Sequence, residues 1–149
     1  METVLIADDE ENIREGLKYI MDWGSLGFEV CAEAANGEET LRLILDKNPG
    51  IVLLDLHMPK IHGIDVIRMA REQGYQGRFI ILSGYSDFSY AQSAIRYGVT
   101  NYLTKPIDED ELQKTVEQIR NDMEKESAEK GSIRRITTKA RDVVLQELL

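Results

Sequence analysis

Apolar and polar positions along the chain follow two periods. Thr3–Ala7 (TVLIA), Ile51–Leu54 (IVLL) and Phe79–Leu82 (FIIL) are short continuous apolar runs, the pattern of strands covered on both faces. Phe28, Val30 and Ala32 alternate as the second strand in chain order, and Asn101–Thr104 reads as the fifth. Between the strands apolar residues return at helical spacing: Ile13, Leu17 and Ile20; Leu41, Ile44 and Leu45; Val66, Ile67 and Ala70; Phe88, Ala91 and Ile95. A fifth helical stripe runs through Leu112, Val116, Ile119 and Met123. Punctuation falls where these elements need it. Asp22–Gly27 reads as a loop, Asn36-Gly37 as a turn, and Asn48-Pro49-Gly50 and Gly74 as helix stops. Gly98 is placed as a C-terminal cap, and Asp108 with Glu111 resembles a capping box.

Five strand–helix units in strict alternation predict an α/β fold: a doubly wound parallel sheet with helices on both faces. Right-handed crossovers point to the five-stranded order 2-1-3-4-5, whose topological switch point lies between the first and third strands. A ligand is expected there, outside the carboxyl ends of the strands.

The unusual polar residues fall on that edge. Asp8 and Asp9 follow the first strand, Asp55 ends the third, Ser83 the fourth and Lys105 the fifth. Taken singly each has a plainer role: Asp9 as a helix cap, Asp55 in an Asx-turn, Ser83 as a loop serine, Lys105 reaching for solvent. Together they form a set. Three carboxylates in one crevice repel, so a divalent cation is the expected partner, and oxygen-only ligands favour Mg²⁺ or Mn²⁺ over zinc. A carboxylate can also attack a phosphoryl group, with a hydroxyl and a lysine binding the remaining oxygens. Asp55, central on the third strand, is the expected nucleophile; Asp8 and Asp9 are expected to hold the metal, and Lys105 to meet the phosphoryl oxygens.

Composition narrows the partners. Hydrophobic residues make up 42% of 149, enough for one domain with a core. No apolar run approaches the roughly 20 residues of a membrane span, and METVLIADDE turns acidic too early for a secretory leader, so a cytoplasmic protein without a membrane role is expected. Residues 1–122 hold 12 basic and 22 acidic side chains, a net of −10, whereas residues 123–149 carry +1. That acidic part is a poor candidate for direct contact with DNA phosphates. Cys31, the lone cysteine, allows no internal disulfide and is expected to be a small core residue.

The motifs ADDE (7–10), LLDLHMPKIHG (53–63), LSGYSD (82–87) and YLTKPI (102–107) resemble the receiver domain of bacterial two-component response regulators, over essentially all of residues 1–122. The stretches DWGSLGFEV (22–30) and SGYSDFSYAQSAIRYGVTNYLTKPI (83–107) look like the YesN-like subgroup, in which a receiver precedes an AraC-type helix-turn-helix output domain. The resemblance implies a flavodoxin-like receiver fold. It implies that Asp55 is the phosphoacceptor, supplied by a sensor histidine kinase, and that Asp8, Asp9, Asp55 and the backbone carbonyl of His57 bind Mg²⁺. It implies that Ser83 and Tyr102 are the switch pair, that Pro106 follows a cis bond, and that Gly63 is the turn glycine after the proline. His57 and Tyr85 occupy positions that tune phosphate lifetime in the family. The protein would then be a signalling phosphoacceptor rather than an enzyme acting on other molecules. It would form a homodimer on phosphorylation and reach DNA only through an output domain beyond residue 149.

A haloacid-dehalogenase-like Mg²⁺-dependent phosphatase uses similar residue types. In that class, however, the nucleophile comes first in the chain and the acidic pair last, and an Asp is usual two residues after the nucleophile, where this chain has His57. After the receiver, Lys130-Gly131-Ser132 interrupts the helical pattern. Ile136, Ala140, Val143 or Val144, and Leu148 then resume it, and residues 123–149 read as a helical linker.

Overall fold

The computed structural model describes residues 1–84 and 88–148, with side chains described for 1–84 and 89–128. Strands β1 (Glu2–Ala7), β2 (Phe28–Ala34), β3 (Ile51–Asp55), β4 (Arg78–Ser83) and β5 (Asn101–Thr104) alternate with helices α1 (Glu11–Tyr19), α2 (Gly37–Lys47), α3 (Gly63–Glu72), α4 (Phe88–Ala94) and α5 (Glu109–Leu148). The sheet is parallel throughout, in the expected order β2-β1-β3-β4-β5. All strands therefore end on one edge. The central runs are the core: Val4–Ala7, Ile51–Leu54 and Phe79–Leu82 are each at most 1% exposed. Covering both faces of these strands removes most of their apolar surface from water, at roughly 25 cal/mol per Å².

The chain divides into two compact units, Met1–Thr115 and Val116–Leu149. In the first, helix ends follow the sequence closely. Asn48 closes α2 in the left-handed conformation (φ 46°), its N–H donating to the Ile44 carbonyl. Gly98 (φ 78°) closes the short 3-10 turn Ile95–Tyr97 that follows α4. Asp108 accepts from Glu111 N–H at 3.0 Å, which realises half of the capping box. In the second unit the backbone stays helical through Lys130-Gly131-Ser132, where the sequence pattern breaks. One glycine inside a helix costs only about 1 kcal/mol relative to alanine. The side-chain stripe Ile136–Leu148 lies outside the described side chains.

Four details differ from the sequence reading. Asn36 is the N-cap of α2, its side chain accepting from Glu39 N–H at 2.8 Å, so the Asn-Gly pair opens a helix instead of forming a free turn. The loop at 22–27 contains a 3-10 turn and buries Trp23, whose indole N–H donates to the Leu17 carbonyl at 3.0 Å. Leu45 and Ile95 are exposed (47% and 62%), because periodicity marks a helix without saying which apolar positions find a cover. Cys31 is half-buried, not core. Val4 pairs with Val30 and Leu5 with Ala32, so Cys31 is an extra residue in the β1–β2 ladder.

Arg71 ties the far side of the first unit together. Its guanidinium donates to the carbonyls of Tyr97, Tyr75 and Gly77 at 2.7–2.8 Å and lies over the Phe79 ring at 5.1 Å. A planar fork of donors suits three converging carbonyls where an ammonium would not.

Candidate functional site

Because β1, β3, β4 and β5 all end on the same edge, their terminal residues meet. Carboxylate oxygens of Asp8, Asp9 and Asp55 lie within 4.8 Å of one another, with Asp8 and Asp55 buried and Asp9 exposed. Lys105 enters from the end of β5. Its Nζ is 2.8 Å from Asp8 Oδ2 and 3.6 Å from Asp55 Oδ1. Its backbone N–H donates to the Ser83 carbonyl at 2.8 Å, and the following Lys105–Pro106 peptide is cis. Asp8 is held further by Glu10, whose N–H donates to Asp8 Oδ1 at 2.9 Å. Four of the residues singled out as catalytic or metal-binding therefore form one cluster.

The electrostatics reflect the crowding. Burial pushes the Asp55 pKa up to about 6; Lys105 opposes this, and the charges of Asp8 and Asp9 add to it. Burial acts to lower the Lys105 pKa, but the hydrogen bond to Asp8 and the charge of Asp55 outweigh it, and the net shift is upward. Among the described residues Lys105 pairs with two of the three clustered carboxylates, Asp8 and Asp55, and the excess of negative charge suits a divalent cation. The donors are all oxygens, as a hard ion such as Mg²⁺ or Mn²⁺ prefers.

Ser83 is fully buried, and among the described residues its hydroxyl oxygen has no hydrogen-bond partner. A buried hydroxyl without a partner, at the end of the strand next to Asp55, is what an incoming oxygen would satisfy. Tyr102, one strand over, donates its hydroxyl to the Gly84 carbonyl at 2.9 Å. Gly63 belongs at the base of the site: a Cβ there would sit 2.7 Å from Leu56 Cα and 2.9 Å from the Asp55 carbonyl oxygen. Tyr85 lies outside the described residues.

His57 donates its backbone N–H to Asp55 Oδ1 at 3.4 Å, and its side chain is exposed. The ring is not simply solvated, however. It meets the rings of His62 and Tyr90 at centroid distances of 5.2 and 5.8 Å. His62 also caps α3, Nδ1 accepting from Ile64 N–H at 3.2 Å. Tyr90 is not visible as a partner in the sequence pattern, because it reaches the β3–α3 loop from α4 across some thirty residues, whereas His62 lies in the same loop as His57. Among the described residues, one apolar groove adjoins Lys105 and another lies beside Tyr102. The first, about 370 Å³, runs along α1 and the β5–α5 loop, lined by Ile13, Leu17, Ile20, Pro106 and Ile107. The other, about 320 Å³, lies between α4 and β5 and includes Ile95, Val99 and Tyr102.

Comparison with known proteins matches this geometry. Residues 4–117 match the family model of the response regulator receiver domain. The transcriptional regulatory protein YesN of Bacillus subtilis is 36% identical over 130 residues, covering 87% of this chain and 35% of YesN. The transcriptional regulatory protein HptR of Staphylococcus aureus is 40% identical over 110 residues, covering 74% of this chain and 43% of HptR. The chain thus spans less than half the length of these curated relatives. Among solved structures, the REC domain of AraT, a response regulator from Geobacillus stearothermophilus, superposes with a TM-score of 0.80 at 42% identity. It covers 85% of this chain and 98% of that one. A two component transcriptional regulator AraC from Clostridium phytofermentans gives a TM-score of 0.73 at 31% identity, covering 80% of this chain and 92% of that one. The phosphatase alternative finds no support among these relatives.

Proposed function

Since the chain belongs to the response regulator receiver domain family, we propose that it is a signalling domain switched by a phosphoryl group carried on Asp55. The observation that carries this reading is the convergence of Asp8, Asp9, Asp55 and Lys105 at one strand edge, beside a buried Ser83 hydroxyl. Asp8, Asp9, Asp55 and the His57 backbone carbonyl would hold Mg²⁺, with Mn²⁺ as a substitute; when bound, the ion neutralises charge on the phosphoryl oxygens. An Asp55 carboxylate oxygen attacks phosphorus. The bond to the donor's leaving atom breaks, and with a phosphohistidine donor the imidazole nitrogen keeps that electron pair. Lys105 and Ser83 donate to the equatorial oxygens.

The donor is a sensor histidine kinase, and the apolar groove along α1 beside Lys105 and Pro106 supports docking of its phosphohistidine domain there. Phosphorylation biases a two-state equilibrium through Ser83 and Tyr102. The groove at α4 and β5, with Ile95 62% exposed, supports a homodimer as the output. Residues 1–122 act as the receiver and residues 123–149 as a helical linker to an output domain that contacts DNA, a reading supported by relatives named as transcriptional regulators. The gene's reading frame past codon 149 checks this; a stop codon there would overturn it. Among the described residues no helix is long and apolar enough to cross a membrane, and we place the protein in the cytoplasm.

The test is metal-dependent phosphate uptake. Incubation with a small acyl phosphate and Mg²⁺ is expected to add one phosphate by intact mass, released by hydroxylamine as an acyl phosphate should be. EDTA is expected to reduce uptake to background. Uptake that ignores EDTA, or a hydroxylamine-stable phosphate, would rule the mechanism out.

A further inference from the structure

Arg14 lies one turn into α1 and is not among the residues that close on the ligand. Its guanidinium is nonetheless built into the site's support. Nη1 donates to the Asp8 backbone carbonyl at 2.7 Å, while Nε donates to Glu33 Oε1 at 3.3 Å. The other Glu33 oxygen accepts from Lys18 Nζ at 2.9 Å, so two cations one helical turn apart hold a single carboxylate on β2. The extra residue at Cys31 sets the face on which Glu33 lies: an unbroken register would put Glu33 level with Ala7, whereas the skip puts it level with Ile6, on the opposite face of the sheet, and leaves Ala34 level with Ala7. The Arg14 side chain is 15% exposed.

The Asp8 carbonyl shares its peptide plane with the Asp9 nitrogen. Fixing that carbonyl fixes where the Asp9 Cα begins, and Asp9 is the exposed member of the acidic trio. We propose that Arg14 is a positioning residue for divalent-cation binding: through the Asp8 carbonyl it sets the angle at which Asp9 meets the ion, and Glu33 holds the guanidinium in place. This rests on Asp8 and Asp9 being the cation's ligands. It makes a claim opposite in sign to simple electrostatics. Removing a positive charge beside an acidic cluster should tighten cation binding, whereas removing a positioning contact should weaken it.

The experiment is calorimetric titration of Mg²⁺ into wild type, Arg14→Met and Arg14→Lys, well below each protein's melting temperature, where a purely structural role would leave the affinity unchanged. Arg14→Met is expected to raise Kd about tenfold, the lower end of what loss of a metal site's supporting contact costs. Arg14→Lys is expected to raise it several-fold despite keeping the charge, because an ammonium cannot span both the Asp8 carbonyl and Glu33. Should Arg14→Met fail to fold, the lysine variant decides alone. Unchanged or tighter binding in Arg14→Met, or wild-type affinity in Arg14→Lys, would overturn the proposal. A wild type that takes up no Mg²⁺ would instead remove the reading of Asp8 and Asp9 on which it stands.

Discussion

Asp55→Ala protein is expected to take up no phosphate from an acyl phosphate donor with Mg²⁺ present, at any incubation time at which wild type is labelled. The loss is total because the substitution removes the atom that forms the new bond, and no other carboxylate replaces it. Asp8 is engaged by Lys105 at 2.8 Å and by Glu10 N–H at 2.9 Å. Ser83→Ala, by contrast, removes one donor to a phosphoryl oxygen and should slow uptake by about 10²-fold without abolishing it. The fold should survive Asp55→Ala. Like charges about 4 Å apart repel by roughly 4 kcal/mol at an effective dielectric of 20, so losing one of the three carboxylates relieves a cost. The same pair of proteins tests the output. Light scattering should show wild type moving toward dimer mass on phosphorylation and Asp55→Ala unmoved. Labelling of Asp55→Ala to the wild-type extent would place the phosphate elsewhere. An unchanged wild-type mass over a wide concentration range would count against dimerisation.

How far the site could be read from sequence depends on how local its determinants are. The central strands were legible because burial on both faces leaves an uninterrupted apolar run, as at Ile51–Leu54. Strand ends were legible too, since a parallel sheet puts every carboxyl end on one edge. Asp8, Asp9, Asp55, Ser83 and Lys105 could therefore be grouped without knowing any distance between them. Residues that act at a distance were not legible. Arg14 reads as one polar position on an amphipathic helix, and only the register skip at Cys31 brings Glu33 to it. Tyr90 meets the His57 ring edge-on through tertiary contact alone, and His62 does so within the loop that both histidines share. Trp23 sits in a glycine-containing stretch that looks like surface loop, yet it is 5% exposed because its indole finds the Leu17 carbonyl.

Gly37 belongs to the same illegible class, and it carries the largest stability effect expected here. It opens α2 immediately after the Asn36 cap, where the sequence shows only an Asn-Gly pair. Its N–H donates to the Pro59 carbonyl at 3.1 Å, and the same carbonyl accepts from Ile61 N–H at 2.9 Å. The intervening Lys60 is forced to φ 73°, a conformation that costs a non-glycine residue about 1 kcal/mol or more. A Cβ on Gly37 would overlap the Ile61 carbonyl oxygen and stand 2.7 Å from that carbonyl's carbon. The obstacle is backbone, already bent around Lys60, so it cannot turn aside as a side chain would. Gly37→Ala is therefore expected to destabilise the protein by about 3 kcal/mol, at the upper end of overpacking costs. Gly16→Ala provides the contrast. That glycine lies inside α1 with nothing within 4 Å of its missing Cβ, so alanine should stabilise by up to about 1 kcal/mol through helix propensity alone. Urea unfolding followed by the fluorescence of Trp23, the single tryptophan, measures both. The same methyl group should thus act with opposite sign at two glycines. Gly37→Ala should also slow phosphate uptake, because the displaced segment leads directly from Asp55 into α3. A Gly37→Ala protein as stable as wild type would mean that the loop after β3 yields freely, and that the approach of α2 does not hold the phosphoacceptor's loop in place.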